Sequence, residues 1–183
     1  MLNIYFLYVS IKEKGGEKMK FGIICASDRC FRGECEDVSG KAIAECVAAL
    51  SDENRYMLVP DEAAQISSAI CTLADTFGAD VIFTTGGTGF APRDVTPEAT
   101  KAVIEREAPG IAEAIRAKSM QITPRAMLSR AVSGIRGKTL IINLPGSPKA
   151  VKESIEVVLP VLPHAVETMS GNTLSCGGEY HHE

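Results

Sequence analysis

Residues 80–85 read DVIFTT, an unbroken apolar and β-branched run with none of the alternation that marks a strand wet on one side. A strand of this kind is buried on both faces, which requires helices above and below it. The rest of the chain supplies them. Residues 20–27 form a short apolar run ending at a polar turn, followed by a helical pattern over 38–50 with Ile43, Val47 and Leu50 on one side. Residues 55–59 form a second run stopped by Pro60. Asp61 is then placed to cap a helix whose apolar face is Ile66, Ile70, Leu73 and Phe77, and Gly78 ends it. Thr96, as N-cap, and Pro97, at the first helical position, open another helix. Helical patterns recur over 111–120 and 124–130. The run KTLIINL (138–144) is a further strand, and Ser147-Pro148 start a last amphipathic helix through Val151, Ile155 and Val158. The expected fold is α/β: three layers, with a mostly parallel sheet, helices on both faces, and ligands bound at the carboxyl ends of the strands.

A chain of 183 residues is one ordinary domain, able to bury roughly 70% of its unfolded surface. With 45% apolar and 23% charged residues it has a globular composition, which excludes disordered and collagen-like chains. No stretch reaches 18 uninterrupted apolar residues, so no membrane span is expected. Nineteen Lys and Arg against 23 Asp and Glu leave a net charge of −4, so nucleic acid is not an expected partner, while a small phosphorylated ligand stays open. Six cysteines without a secretory signal read as reduced thiols in a cytoplasmic protein. The C-x4-C-x4-C spacing of Cys25, Cys30 and Cys35 fits neither zinc nor iron–sulfur patterns. Residues 1–18 are expected to be a dispensable or disordered extension, or a mis-called start upstream of the native Met19, with an extra edge strand through Ile4, Phe6 and Tyr8 as the competing reading. Residues 19–170 form the single domain. Residues 171–183 form a flexible tail, in which Cys176, His181 and His182 read as a frayed terminus before they read as a metal site.

The segment TTGGTGFAPRDVTPE (84–98) puts three glycines directly after the buried strand, where backbone N–H groups can approach a phosphate with no Cβ in the way. It is neither a Walker loop nor a dinucleotide fingerprint. Arg93-Asp94 adds a cation and an acid suited to holding an anion together with Mg²⁺. Asp28 and Asp61 also follow strands, so a parallel sheet would gather Asp28, Asp61 and Asp94 at one edge, a self-repelling set unless a divalent cation is present. Residues 143–148 (NLPGSP) bring a helix N-terminus to the same edge.

These segments resemble the MogA/MoaB-type molybdopterin-binding proteins, a family that includes bacterial molybdopterin adenylyltransferases and the G domains of gephyrin. The resemblance rests on TTGGTGFAPRDVTPEAT, on ITPRAMLSRAVSGIRG (122–137), on KTLIINLPGSPKAVKES (138–154), and on the earlier SDR and PDE; it spans roughly residues 21–169. It implies the molybdopterin-binding fold and a reaction in which molybdopterin and Mg-ATP give adenylyl-molybdopterin and pyrophosphate. By the match, Asp61 and Asp94 are the essential carboxylates and engage Mg²⁺ and the nucleotide. Gly86, Gly87, Thr88 and Gly89 would line the nucleotide and phosphate site, with Ser27 and Asp28 on the nucleotide side. Ser129 would sit by the pterin pocket, and Pro145, Gly146 and Ser147 would close the site from the other side. Arg93, Arg130 and Lys149 are candidate phosphate contacts. The resemblance further implies a homotrimer, or a hexamer as in some members, and a molybdenum-insertion protein as recipient of the product. The extra N-terminal segment and the cysteines of the first loop, Cys30 and Cys35, are departures that bear on oligomer contacts and loop shape. The alternative reading is a non-catalytic MoaB-type molybdopterin-binding or scaffold protein; a carboxylate pair suited to Mg²⁺ favours the enzyme.

Overall fold

The computed structural model describes residues 18–171, so the expectations for the first segment and for the tail, including Cys176, His181 and His182, fall outside the described residues. Strand β1 (Met19–Ala26) leads through a single-turn helix α1 (Asp28–Phe31) to α2 (Val38–Val47), β2 (Ser51–Val59) and α3 (Ala63–Cys71). Then come β3 (Val81–Thr85), α4 (Thr96–Lys101), β4 (Arg106–Glu107) and α5 (Pro109–Met120). The chain finishes with β5 (Ser133–Arg136), β6 (Thr139–Leu144), α6 (Pro148–Val158) and α7 (Leu162–Ser170). The sheet order is β2-β1-β3-β6-β5-β4, with the first four strands parallel, β5 antiparallel to β6, and β4 antiparallel to β5 at the edge.

The period of two along the central strands divides the apolar residues between two cores. Phe21, Ile23, Val81, Phe83, Leu140 and Ile142 pack with residues of α2, α5, α6 and α7 on one face. Ile24, Ile82 and Ile141 pack with Ile66, Ile70, Leu73 and Ala99 on the other. This is the three-layer arrangement expected from the doubly buried run. No described helix is long and apolar enough to cross a membrane.

Three local expectations are corrected. Asp61 does not cap α3: Glu62 holds the N-cap position, with no side-chain capping bond, and the Asp61 carboxylate turns to the neighbouring strand end. Val95 rather than Thr96 is the N-cap of α4, so Thr96 enters the helix as its first residue. The helix through Phe77 is α-helical only to Cys71 and then widens into a π-helical turn (Thr72–Thr76), closed by Phe77 N–H donating to Thr72 O at 3.1 Å; the wider turn keeps Leu73 and Phe77 both toward the sheet. Strands β4 and β5 had no counterpart in the sequence reading, because two- and four-residue strands carry too little periodicity to register.

Candidate active site

Four parallel strands end at one edge, and each delivers a turn there. Ser27 follows β1 and caps α1, its Oγ accepting from Cys30 N at 3.3 Å. Pro60 and Asp61 follow β2. Gly86 and Gly87 follow β3 with φ of 93° and 61°, backbone that side chains other than hydrogen rarely adopt. Pro145 and Gly146 follow β6, and both of their carbonyls are held: Thr85 Oγ1 donates to Pro145 O at 2.7 Å, and Ser39 Oγ donates to Gly146 O at 2.9 Å. Between these turns lies a cleft of about 400 Å³ walled by Ser27, Asp61, Gly86, Gly87, Asp94 and Gly146, among others. Its position at the carboxyl ends of a parallel sheet is where open α/β folds bind ligands.

The acids of this edge are not equivalent. Arg93 grips Asp28 with two bonds, Nε to Oδ2 at 3.0 Å and Nη2 to Oδ1 at 2.9 Å. That pairing, more than any other contact, holds the Asp28 carboxyl below the ordinary carboxylate range. Asp28 and Asp61 also exchange backbone bonds, Asp28 N donating to Asp61 Oδ2 at 2.8 Å and Asp61 N to Asp28 Oδ1 at 3.1 Å. Asp61 moves the other way: burial pushes its carboxyl up, the nearby charges of Asp28 and Asp94 add to the effect, and Asp28 N–H and Arg93 oppose it. Asp94 accepts Ala91 N at its Oδ2, at 2.9 Å. The expected three-acid cluster is therefore corrected to a pair. Arg93 neutralises Asp28, and among the described residues no group of three or more His, Cys, Asp or Glu side chains could hold a metal ion. Asp61 and Asp94 remain on the cleft wall, and two hard carboxylate oxygens beside an open cleft fit Mg²⁺, which keeps several waters and takes its other ligands from phosphate.

The cations are committed as well. Arg93 is taken by Asp28 and is not a cleft wall residue. Arg130 Nε donates to Gly89 O at 2.7 Å, its other nitrogens reach Asp94 O and the Glu98 carboxylate, and its own N–H donates to Thr88 O at 2.9 Å. Arg130 thus braces the glycine-rich turn from behind. Lys149 lies 3.8 Å from Glu153. Ser129 precedes Arg130 and its Oγ accepts from Ala131 N at 3.3 Å, which places it beside the braced turn but off the cleft wall. Ser147 caps α6, accepting from Ala150 N at 3.2 Å.

The sequence reading passed over Asp37 and Ser39. Asp37 caps α2, accepting from Ser39 N and Gly40 N, and also accepts from the Tyr56 hydroxyl at 2.8 Å; Ser39 locks the Gly146 turn. The signal was present in Asp37-Val38-Ser39-Gly40, an Asp followed by small polar residues at a helix start. The five described cysteines are free thiols. Burial, with Asp37 beside it, pushes the Cys25 thiol far above its ordinary value, so Cys25 offers the cleft no thiolate nucleophile at neutral pH.

Residues 22–164 match the family model described as "Probable molybdopterin binding domain". The chain belongs to this family. The matched span runs from β1 into α7 and contains every wall of the cleft. This molybdopterin-binding-family chain is 43% identical over 159 residues to a protein of Helicobacter pylori named molybdopterin adenylyltransferase, covering 85% of this chain and 90% of that one. It is 44% identical over 143 residues to the molybdopterin adenylyltransferase of Escherichia coli K12, covering 76% and 73%. Among solved structures it resembles the molybdopterin biosynthesis enzyme MoaB of Thermus thermophilus, at TM-score 0.77 and 50% identity, covering 84% of this chain and 97% of that one.

Proposed function

We propose that this protein transfers AMP from Mg-ATP to the terminal phosphate of molybdopterin, giving adenylyl-molybdopterin and pyrophosphate, as a step in molybdenum cofactor biosynthesis. The observation that carries the reading is a glycine-rich turn and a carboxylate pair facing one cleft, in a chain 43% identical to a molybdopterin adenylyltransferase across most of both proteins. Gly86, Gly87 and Gly89 offer backbone N–H groups to the phosphates without side chains in the way, and Thr88 lines the turn between them. Asp61 and Asp94 would hold Mg²⁺, which when bound neutralises phosphate charge. Ser27 and Asp28 serve the nucleotide side, and Ser129 the pterin side. Pro145, Gly146 and Ser147 close the site opposite. The pterin phosphate oxygen attacks the α-phosphorus in line as the bond to pyrophosphate breaks, so the protein's task is to position two phosphorylated ligands and balance their charge. A molybdenum-insertion protein is the expected recipient of the product.

The test is pyrophosphate release from purified protein mixed with molybdopterin, ATP and Mg²⁺. Release that stops when Mg²⁺ is omitted supports the transferase; tight pterin binding without release replaces it with the binding or scaffold reading. Because Arg130 holds Gly89 O, Thr88 O and Asp94 O together, Arg130→Ala is expected to raise the KM for ATP roughly tenfold through a misplaced turn. An unchanged KM would show that the brace does not matter to the nucleotide. We also read the protein as a homotrimer. Light scattering at micromolar concentration should give about three times the chain mass, and a value near 19.5 kDa would rule the trimer out.

A further inference from the structure

Buried threonines in this fold are hydrogen-bonded as a rule. Thr85 donates to Pro145 O, Thr139 to Ala79 O, Thr100 to Thr96 O, and Thr84 accepts from Asn143. Thr96 departs from that pattern: fully buried at 0% exposure, its Oγ1 is the one buried side-chain polar atom without a hydrogen-bond partner among the described residues. An orphan hydroxyl of this kind costs stability that a valine of the same shape would not. Packing alone therefore does not account for a threonine here.

Its surroundings point to the cleft. Thr96 N donates to Gly87 O at 3.1 Å, which ties the start of α4 to the glycine turn. A Cβ placed on Gly87 would lie 2.5 Å from Thr96 Oγ1 and 3.4 Å from Asp61 Oδ1, so both oxygens flank the same bare face of that glycine. Asp61 Oδ2 is already used by Asp28 N–H, whereas Oδ1 accepts no hydrogen bond among the described residues and faces the same side of Gly87 as the unpartnered hydroxyl.

We propose that Thr96 is a positioning residue for the adenylyl transfer: with Mg-ATP in the cleft, its hydroxyl donates a hydrogen bond to Asp61 Oδ1 across the bare face of Gly87 and fixes the orientation of that carboxylate. The proposal rests on the function proposed above. Thr96 touches no substrate; it acts through Asp61, as groups behind a metal-binding carboxylate do, where loss of such a partner typically costs about 10- to 100-fold in metal affinity or activity.

The experiment compares the full-length parent with Thr96→Val and Thr96→Ser by thermal denaturation, by calorimetric ATP binding over a Mg²⁺ series, and by pyrophosphate release. Thr96→Val should melt at the parent temperature or roughly 2–4 °C above it, because an unpaired hydroxyl has been removed. It should lose about tenfold or more in kcat, with the pterin KM changed less than about threefold, and need several-fold more Mg²⁺ to bind ATP. Thr96→Ser should restore kcat to within about threefold, since the hydroxyl returns while the methyl does not. Parental kcat and Mg²⁺ dependence in Thr96→Val would overturn the proposal, as would a loss that serine does not rescue. If the valine variant does not fold, Thr96→Ala carries the same comparison. Should the parent release no pyrophosphate, the transferase reading fails by itself. The Mg²⁺ dependence of ATP binding then decides Thr96: weaker binding in the valine variant supports its role, and equal binding, or a parent that shows no Mg²⁺-dependent binding, overturns it.

Discussion

Asp61→Asn is expected to stay folded, to melt at pH 7 at or above the parent temperature, and to lose adenylyl transfer by about 100-fold or more. The two effects have one cause. Asp61 sits where burial and the Asp28 and Asp94 carboxylates make its charge costly, so its carboxyl titrates above the ordinary range. A group whose folded pKa exceeds its unfolded one binds more proton in the folded state between those values, so folding is relatively favoured at acid pH and loses that advantage as pH rises through the folded pKa. Asparagine removes the charge but keeps an oxygen for Asp28 N–H, the bond that ties the β1 and β2 ends together. The variant's stability relative to the parent should therefore rise from about pH 4 to pH 7. Turnover should vanish over that whole range, because a neutral amide neither balances phosphate charge nor binds Mg²⁺ as a carboxylate does. Melting curves at both pH values, run beside the pyrophosphate assay, check both halves. Near-parental turnover would remove Asp61 from the chemistry, and a melting temperature that falls with pH relative to the parent would contradict the burial argument.

Gly86→Ala should destabilise the protein by about 2–5 kcal/mol, a fall in melting temperature of roughly 5–15 °C, and abolish activity in whatever remains folded. The backbone of Gly86 has φ of 93°, and an alanine Cβ there would press on the carbonyl oxygen of Ala26 inside the 3.0 Å that Cβ atoms essentially never pass. That carbonyl cannot move aside cheaply, since β1 lies inside the sheet, paired with β2 and β3. Gly33 supplies the control. It too has a positive φ, of 75°, but a Cβ there meets nothing within 4 Å, so Gly33→Ala should cost only the conformational part, about 1–2 kcal/mol. Equal losses in the two variants would mean that the close approach of Gly86 to β1 contributes nothing.

What was legible in the sequence follows from how local each feature is. DVIFTT announced a strand buried on both faces, and the runs at Ile23, Ile66, Val151 and Ile155 announced the layers that cover the sheet, because periodicity is a property of neighbouring residues. The glycine turn and the acids after β1, β2 and β3 could be placed at one edge as soon as the strands were taken as parallel. Pairings across the fold could not. Arg93 lies 65 positions from the Asp28 it neutralises, and Arg130 lies 41 from the Gly89 carbonyl it holds, so neither partner could be read from the neighbourhood of either arginine in the sequence. Capping at Asp61 failed for a related reason: the Asp61 carboxylate takes the backbone N–H of Asp28, which the neighbouring strand end brings beside it, in place of one at the start of its own helix. The orphan hydroxyl of Thr96 is visible only in three dimensions, since the same residue at a helix start reads as an ordinary cap.

Mass spectrometry of molybdopterin after incubation with the protein, ATP and Mg²⁺ addresses the proposed chemistry itself. The parent should convert the pterin to a species heavier by one adenylyl group, with one pyrophosphate released for each, and should do so only with Mg²⁺ present and not as Asp61→Asn. Recovery of unmodified pterin bound to a folded parent, with no pyrophosphate released, would contradict adenylyl transfer and leave a protein that holds molybdopterin without reacting it.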